Sequence, residues 1–266
     1  MRRTVLTLQA PAVEDVLDAL MPLLPHGVYQ RDLGGGRAEL AFYGDALAGT
    51  EIDALAGAAL LARDEDDVPD SREARRARVG HAWEVAGRLR VRSPLDPPGT
   101  DGLPEIVIEP LEGAFGTGAH PTTRMTLELL LGLEPGGGFA DLGCGAGLLA
   151  VVAARLGFEP VFAVDVEPRA AESARRNAER NGVEVRAVQA DLLEVPPPPA
   201  RTLAGNMPFY VHERAAAAVD PATEHVLASG IVADQATATA ELYAPAGLTE
   251  RARLTTGGWA AIWLAR

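Results

Sequence analysis

The stretch FADLGCGAGLLAV, Phe139–Val151, decides the fold of this chain. It reads as a short apolar strand, a turn with three glycines and the first residues of an apolar helix. Gly143, Gly145 and Gly147 allow the backbone to turn sharply and to approach a ligand closely. Because a glycine turn between a strand and a helix is typical of α/β folds that bind nucleotides, we expect a parallel sheet and a cofactor site here.

An acidic residue follows the glycine turn at the spacing that a cofactor site of this kind requires. Asp165 ends the next apolar stretch, FAVD, about 20 residues after the glycine turn, where an acid suits the hydroxyl pair of a ribose. The next helix is predicted to open at Pro168 and to end at Asn181-Gly182. The glycine turn alone would also fit a purely structural turn, but Asp165 favours cofactor binding.

Two features favour S-adenosylmethionine over a dinucleotide as the cofactor. The dinucleotide pattern G-x-G-x-x-G requires glycine or alanine at position 148, where this chain has Leu148. The chain also ends in two strand-like stretches, Leu248–Leu254 and Trp259–Leu264, joined by the tight-hairpin dipeptide Gly257-Gly258. We therefore predict an antiparallel last strand, which is foreign to the usual dinucleotide fold.

The alternation of strands and helices places the catalytic domain at residues 94–266. Such alternation predicts a parallel sheet with helices on both faces. The predicted parallel strands are Phe139–Leu142, Val161–Val164, Val185–Gln189, Thr202–Gly205 and His225–Ile231.

Residues 1–62 have a different pattern, which predicts strand, helix, strand, strand and helix. Thr4–Gln9 alternates, Val13–Leu24 carries a helical apolar stripe, and a glycine triplet at 34–36 predicts a hairpin. We expect a small α+β domain, ferredoxin-like in layout. Residues 63–93 are predicted to be a linker with a helix, because an acidic stretch at 64–70 and a basic one at 72–78 are typical of solvated segments; a docking surface is the alternative.

Composition restricts the classes of function. The chain has 266 residues, of which 47% are apolar, a net charge of −13, one cysteine and, among 24 basic residues, no lysine. The acidic charge makes a nucleic-acid partner unlikely. No apolar run is long enough for a membrane span and no signal peptide is visible, so a cytoplasmic location is expected. A single cysteine excludes an internal disulfide and a multi-cysteine zinc site, and no metal site is predicted.

The order of elements and DLGCGAG resemble a seven-stranded class I (Rossmann-like) methyltransferase with its C-terminal antiparallel hairpin. That resemblance implies that Asp141 and the glycine loop surround the methionine part of S-adenosylmethionine and that Asp165 binds the ribose. It also implies that Asp191, after the third strand, lies near the adenine. A capping or turn role is the alternative for Asp191.

The segment AFGTGAHPTTR, residues 114–124, resembles one peculiar to the bacterial methyltransferases of large-subunit ribosomal protein eleven (PrmA-like). ASGI at 228–231, ERNGV at 179–183 and the Gly258-Trp259 ending also fit. The resemblance is close over residues 104–266, and over residues 1–100 only the layout matches. In that family a small N-terminal domain recognises the substrate protein, which implies the same role for residues 1–62.

This segment supplies further candidate cofactor residues. Gly116 and Gly118 allow a tight backbone over a ligand, and hydroxyls are offered by threonines within it. The candidates taken from the segment are Phe115, Gly116, Thr117, Gly118 and Thr122. His120 is placed where it could touch the cofactor or relay a proton, with a structural role as the alternative. A helix cap is the alternative for Thr122 and Thr123.

The stretch GNMPFYVH, residues 205–212, supplies the candidate acceptor site. It resembles, with one position changed, the Asn/Asp-Pro-Pro-Tyr/Phe motif of amino-directed methyltransferases. Asn206 is predicted to orient the acceptor nitrogen and to border the cofactor, while Phe209 or Tyr210 faces the developing positive charge. Tyr210 and His212 are candidate proton acceptors, and a loop with core aromatics is the structural alternative.

Together these patterns predict an S-adenosylmethionine-dependent N-methyltransferase. Its expected substrate is an amino group of a basic or amine-presenting protein or peptide: a ribosomal protein by family default, or a peptide of a biosynthetic pathway. The alternatives are methylation of a small molecule, methylation of a nucleic-acid base, and a non-enzymatic binding module.

Overall fold

The computed structural model describes residues 2–20, 23, 28–43, 47–67, 82–111 and 120–266. The chain forms two compact units, one of residues 1–78 with 112–114 and one of residues 79–111 with 115–266.

The small unit follows a β-α-β-β-α-β order. Its elements are β1 (Arg2–Gln9), α1 (Val13–Leu20), β2 (Val28–Gly34), β3 (Arg37–Tyr43), α2 (Gly49–Ala56) and β4 (Leu60–Asp67). The sheet order is β2-β3-β1-β4 and each neighbouring pair is antiparallel. Alternate β1 residues, Leu6 and Leu8, are buried with Leu20 of α1 and Ile52 of α2, as the period of two in a one-face-buried strand requires.

The predicted linker at residues 63–93 is wrong at both of its described ends. Residues 63–67 belong to β4, which pairs with β1 along its length, and Arg3 forms a two-pronged ion pair with Asp66 across that pair. Glu65 forms ion pairs with Arg2 and Arg63. At the other end, residues 83–92 form two strands of the second unit. The basic stretch at 72–78 lies outside the described residues.

The second unit begins with a three-stranded sheet and a helix. The strands are β5 (Trp83–Val85), β6 (Leu89–Arg92) and β7 (Glu105–Val107), in the order β5-β6-β7. Helix α3 (Pro121–Leu131) follows, and its leucines pack into the core beneath the main sheet.

A seven-stranded mixed sheet forms the body of the second unit. Its elements are β8 (Phe139–Leu142), α4 (Leu148–Leu156), β9 (Val161–Asp165), α5 (Pro168–Arg180), β10 (Arg186–Gln189), β11 (Thr202–Asn206), α6 (Phe209–Ala216), β12 (His225–Val232), α7 (Ala236–Tyr243), β13 (Thr249–Thr256) and β14 (Trp259–Ala265). The order is β10-β9-β8-β11-β12-β14-β13, and β14 runs antiparallel to both β12 and β13. The predicted sheet and hairpin are confirmed.

The sheet buries apolar side chains on both faces. Along β9, Val161 and Ala163 join one buried cluster while Val164 joins the other. This alternation is what a strand covered on both sides requires.

The strand order brings two loops together. β8 and β11 are parallel neighbours, although they are separated in sequence by two helices and two strands. The order reverses between them, and ligands of such sheets bind outside the carboxyl ends of the strands at that reversal. The glycine loop follows β8 and Asn206 ends β11, so both predicted parts of the site meet at this edge.

Candidate active site

The glycine loop is fixed to the end of β9 by its own backbone. The N–H groups of Gly143 and Cys144 donate to the carbonyl oxygen of Val164 at 2.8 and 3.0 Å. The glycines at 143, 145 and 147 have φ of 69°, 51° and 80°, a region that favours glycine. The loop therefore needs glycine for its shape, as the sequence predicts.

Two of these glycines also permit close approach of other elements. A Cβ on Gly147 would lie 2.6 Å from the Cβ of Ala174, so α5 packs directly against the loop. A Cβ on Gly143 would lie 3.4 Å from Cγ of Met207, which follows β11. The acceptor stretch therefore lies beside the loop, and a side chain at position 143 would touch Met207.

Asp165 ends β9 and is tied to that loop. One carboxylate oxygen accepts from the N–H of Gly145 at 2.9 Å, and the other accepts from the N–H of Glu167 at 3.0 Å. The carboxylate is thus held at the carboxyl edge of the sheet, beside the loop, where the sequence predicts a ribose-binding acid.

Asp141 lies deeper than a direct ligand contact requires. Its side chain is buried and accepts a hydrogen bond from the N–H of Ala150 in α4 at 3.1 Å. Burial raises its pKa to about 7; the hydrogen bond from Ala150 opposes this rise, and the nearby charge of Asp165 contributes to it. A positive group bound at the loop would favour the ionised form of this carboxyl.

Asp191 follows β10, the neighbour of β9, and forms a turn. Its carboxylate accepts from the N–H of Leu193 at 2.8 Å, which is the alternative role that the sequence left open. Ala190 donates to the backbone oxygen of Asp165 at 2.9 Å, so both acids lie on adjacent strand ends.

His120 caps α3 and packs against the terminal hairpin. Its Nδ1 lies 2.7 Å from Oγ1 of Thr122, and its ring meets the Trp259 ring edge-on with centroids 4.9 Å apart. Burial lowers the pKa of His120 to about 4, so the imidazole is neutral at neutral pH. Phe115, Gly116, Thr117 and Gly118 lie outside the described residues.

Asn206 is held by α3. Its Nδ2 donates to Oγ1 of Thr123 at 3.3 Å, and Thr123 is buried in the first turn of that helix. Within the described residues, Oδ1 of Asn206 has no hydrogen-bond partner. The hydrogen bond from Nδ2 therefore orients the Asn206 amide, and Oδ1 remains able to accept a hydrogen bond.

The structure does not support the alternative in which Thr123 caps the helix, since His120 is the capping residue.

Gly230 supports the acceptor stretch, a role that its place in the ASGI stretch at 228–231 did not predict. It lies at a bulge of β12 with φ of 81°, and a Cβ there would lie 2.5 Å from the backbone nitrogen of Met207. The N–H of Met207 also donates to the oxygen of Ser229 at 2.9 Å. The peptide between Asn206 and Met207 thus packs directly against Gly230, where a side chain would leave no room for it. A glycine inside a strand pattern was the available signal for this bulge.

The two aromatic residues of the stretch differ in exposure. Phe209 and Tyr210 begin α6, where Phe209 is partly buried against the core and Tyr210 is 58% exposed. The loop-with-core-aromatics alternative therefore describes Phe209 in part and does not describe Tyr210.

The prediction of His212 as a proton acceptor is wrong. Its side chain is fully buried, with Nδ1 3.1 Å from the hydroxyl of Tyr243 and Nε2 2.9 Å from the oxygen of Ser229. Burial lowers its pKa to about 4, although the backbone contacts at Ser229 and Met207 oppose that shift. Both ring nitrogens are engaged in the core, so this imidazole has no access to a substrate.

The described ranges contain no group of three or more His, Cys, Asp or Glu side chains that could hold a metal ion. In the same ranges, no helix has the length and apolar character needed to cross a membrane.

Comparison with known proteins agrees with this geometry. The family model described as ribosomal protein L11 methyltransferase (PrmA) matches residues 103–266. Ribosomal protein L11 methyltransferases of Paraburkholderia xenovorans (strain LB400) and Burkholderia cenocepacia (strain HI2424) are 48% and 52% identical over 85 and 73 residues. These matches cover 31% and 27% of this chain but only 28% and 24% of the relatives.

Two solved structures share the fold. A ribosomal protein L11 methylase from Lactobacillus delbrueckii subsp. bulgaricus has a TM-score of 0.60 at 20% identity, and covers 71% of this chain and 98% of its own. A T. thermophilus 16S rRNA N2 G1207 methyltransferase (RsmC), in complex with AdoMet and guanosine, has a TM-score of 0.50 at 18% identity over 99% of this chain and 64% of its own.

Proposed function

The chain belongs to the ribosomal protein L11 methyltransferase family, and on that premise we propose that it is an S-adenosylmethionine-dependent N-methyltransferase acting on an amino group of a protein or peptide. One observation carries the proposal: Gly143 of the cofactor loop and Met207 of the acceptor stretch follow two parallel neighbouring strands at the reversal point of the sheet, so close that a Cβ on Gly143 would lie 3.4 Å from Cγ of Met207. A methyl donor and an acceptor nitrogen held by these two loops would meet there.

Gly143, Gly145 and Asp165 would hold the cofactor. The fit rests on the bare backbone of the loop and on a carboxylate fixed beside it at the strand end. When bound, S-adenosylmethionine supplies an electrophilic methyl group on a sulfonium. Asp141 lies in the same region, and a cationic ligand would favour its ionised form, whereas a neutral ligand would not.

Asn206 orients the acceptor. Because its nitrogen is bound to Thr123, Oδ1 can accept an N–H bond from the substrate amine and direct the lone pair of that nitrogen. The same oxygen stabilises positive charge as it develops on nitrogen. Tyr210, whose ring is exposed, can face that charge, a contact worth about 0.5–2 kcal/mol.

The substrate amine has to arrive neutral. An alkyl ammonium has a free pKa of about 10.4, and the protein must favour its neutral form. His120 has a pKa of about 4, which makes it a weak base, and His212 is sealed in the core. Neither imidazole is suited to deprotonate the amine, so desolvation lowers the pKa of the bound ammonium, and its proton leaves to water before the methyl group is transferred.

The small unit is proposed to recognise the substrate protein. It carries its own core and its own sheet, and the family model begins only at residue 103. A fragment of residues 79–266 follows the boundary between the units and keeps β5 and β6 intact. It should bind S-adenosylmethionine but methylate the full protein substrate poorly; full activity in this fragment would contradict the assignment.

The function is tested by methyl transfer from isotopically labelled S-adenosylmethionine to purified ribosomal protein L11, to total ribosomal protein and to ribosomal RNA, followed by mass spectrometry. The chain has no lysine, so methyllysine in any digest comes from the substrate. Labelled amines in L11 would support the family substrate, and labelled amines in another protein would support a different protein substrate. Label in RNA alone would overturn the proposal.

Asn206 variants test the acceptor site in the same assay. Asn206→Ala should lower the rate about a hundred- to a thousandfold, which is the loss typical of one preorganised polar partner. Asn206→Asp is the matched control because it keeps an accepting oxygen, and it should retain more activity. Cofactor affinity should change little in both. An Asn206→Ala enzyme with normal turnover would remove Asn206 from the acceptor site.

A further inference from the structure

Two asparagines, Asn177 in helix α5 and Asn181 directly after it, bind an extended segment through their side chains as a neighbouring strand would. Asn181 accepts from the N–H of Val107 at 2.8 Å and donates to its carbonyl oxygen at 2.8 Å. Asn177 accepts from the N–H of Glu109 at 2.9 Å and donates to its carbonyl oxygen at 3.0 Å. Each side-chain amide thus pairs with one residue of the extended segment as a strand residue would.

The spacing of the two asparagines fits the spacing of the two partners. Four residues of an α-helix rise about 6 Å, and two residues of an extended strand advance about 6.6 Å. A pair at i and i+4 on a helix can therefore serve positions j and j+2 of a strand. Both side chains are buried, so their polar groups require these partners.

Asn177 has a further contact that Asn181 lacks. Its Nδ2 also donates to the carbonyl oxygen of Ala146 in the glycine loop at 2.9 Å. With a bond from Arg180 to its oxygen at 2.9 Å, the amide makes four hydrogen bonds, which is its full capacity. Ala174, one helical turn earlier, meets Gly147 of the same loop.

From this arrangement we propose that Asn177 is a positioning residue for the cofactor loop, and that it joins the loop at Ala146 to the segment at Glu109. The inference rests on the proposed binding of S-adenosylmethionine at that loop. Only an uncharged side chain with two donors and an accepting oxygen makes these bonds, so the position requires an amide. The Asn181 side chain binds the extended segment at Val107 but makes no hydrogen bond to the loop residues that the structure describes.

The test compares Asn177→Asp with Asn181→Asp in the full chain. Each change keeps the side-chain shape and the accepting oxygen but removes two donated bonds, to Ala146 and Glu109 in one case and to Val107 and Asn177 in the other. Calorimetry with S-adenosylmethionine gives the affinity, and thermal unfolding without ligand gives the stability. Both variants should lower the unfolding temperature.

Only Asn177→Asp should weaken binding, by roughly three- to tenfold, which corresponds to the loss of one neutral hydrogen bond. Asn181→Asp should remain within about twofold of wild type. Equal weakening in both variants, or none in Asn177→Asp, would overturn the inference. Failure of the wild-type chain to bind S-adenosylmethionine would overturn the proposed function instead, so the two failures are distinguishable.

A measurement on the unaltered chain covers the case in which Asn177→Asp does not fold. Residue-resolved amide hydrogen exchange is recorded with and without S-adenosylmethionine. Because Asn177 joins Glu109 to the loop, the exchange of the Glu109 N–H should slow on binding, together with that of Gly147. The Val107 N–H, held by Asn181, should slow less. Equal slowing at positions 107 and 109, or unchanged exchange at 109, would contradict the role.

Discussion

Gly230→Ala should disable the acceptor site while leaving the cofactor loop intact. A Cβ at this position would lie 2.5 Å from the nitrogen of Met207, 2.7 Å from its oxygen and 2.8 Å from the carbonyl carbon of Asn206. All three are backbone atoms, which no side-chain rotation can move away. To restore an ordinary contact of about 3.4 Å, the peptide must shift by about 0.9 Å.

The size of that shift sets the expected loss. Misplacement of a reacting group by about 1 Å can cost about a hundredfold in rate, so the turnover of Gly230→Ala should fall by about that factor. The φ of 81° adds backbone strain of about 1–2 kcal/mol for any residue with a Cβ. Affinity for S-adenosylmethionine should stay within about threefold of wild type, because the loop glycines and Asp165 lie on other strands.

Gly102→Ala is the matched control. Its φ is 77°, close to that of Gly230, but a Cβ there would meet no atom within 4 Å. It therefore reports the backbone strain alone. The assay is methyl transfer to the protein substrate with cofactor calorimetry and thermal unfolding in parallel. A folded Gly230→Ala enzyme with normal turnover, or an equal loss of rate in Gly102→Ala, would refute the argument.

Two further predictions concern the cofactor site and the buried core. Asp165→Ala should weaken S-adenosylmethionine binding by roughly 1.5–3 kcal/mol, the scale of hydrogen bonds to a charged group; calorimetry checks this, and unchanged affinity would remove Asp165 from the cofactor site. His212 has a pKa of about 4 in the fold against an ordinary value of 6.5. The unfolded chain thus takes up the proton first, so the stability that this residue contributes is present above pH 6.5 and is lost as the pH falls toward 4. In urea unfolding from pH 4 to 7.5, the stability of wild type relative to His212→Gln should fall with decreasing pH across that window; a constant difference would contradict the assignment.

Much of the second unit follows from the sequence because its signals are local. Strand bounds agree with the predicted ones to within one or two residues, since apolar runs and turn residues depend only on near neighbours. The φ values of 59° and 84° at Gly257 and Gly258 are those that a glycine dipeptide permits. Spacing along the chain likewise placed Asp165 one strand after the glycine loop.

Predictions were wrong where the structure of a segment depends on residues far away in the sequence. The acidic stretch at 64–67 was predicted to be a solvated segment, but it pairs with β1, and Glu65 and Asp66 form ion pairs with arginines of that strand. His212 shares helical spacing with Ala215 and Ala216, and this spacing already indicated the buried face of α6. The neighbouring Asn206 motif instead suggested a functional role for His212.

The elements, the loop glycines and the place of Asp165 at a strand end could be predicted from the sequence, because each depends on residues within a few positions of one another. Three contacts could be seen only in the folded chain: Gly230 lies against the Asn206–Met207 peptide, Thr123 binds the Asn206 amide, and Asn177 joins Glu109 to the glycine loop. The last two contacts join residues 83 and 68 positions apart. The local conformational preferences of an asparagine or a glycine do not depend on its tertiary partner, so they do not predict that partner. Its partner is fixed by strand order and helix packing, which hydrophobic burial sets over the whole unit.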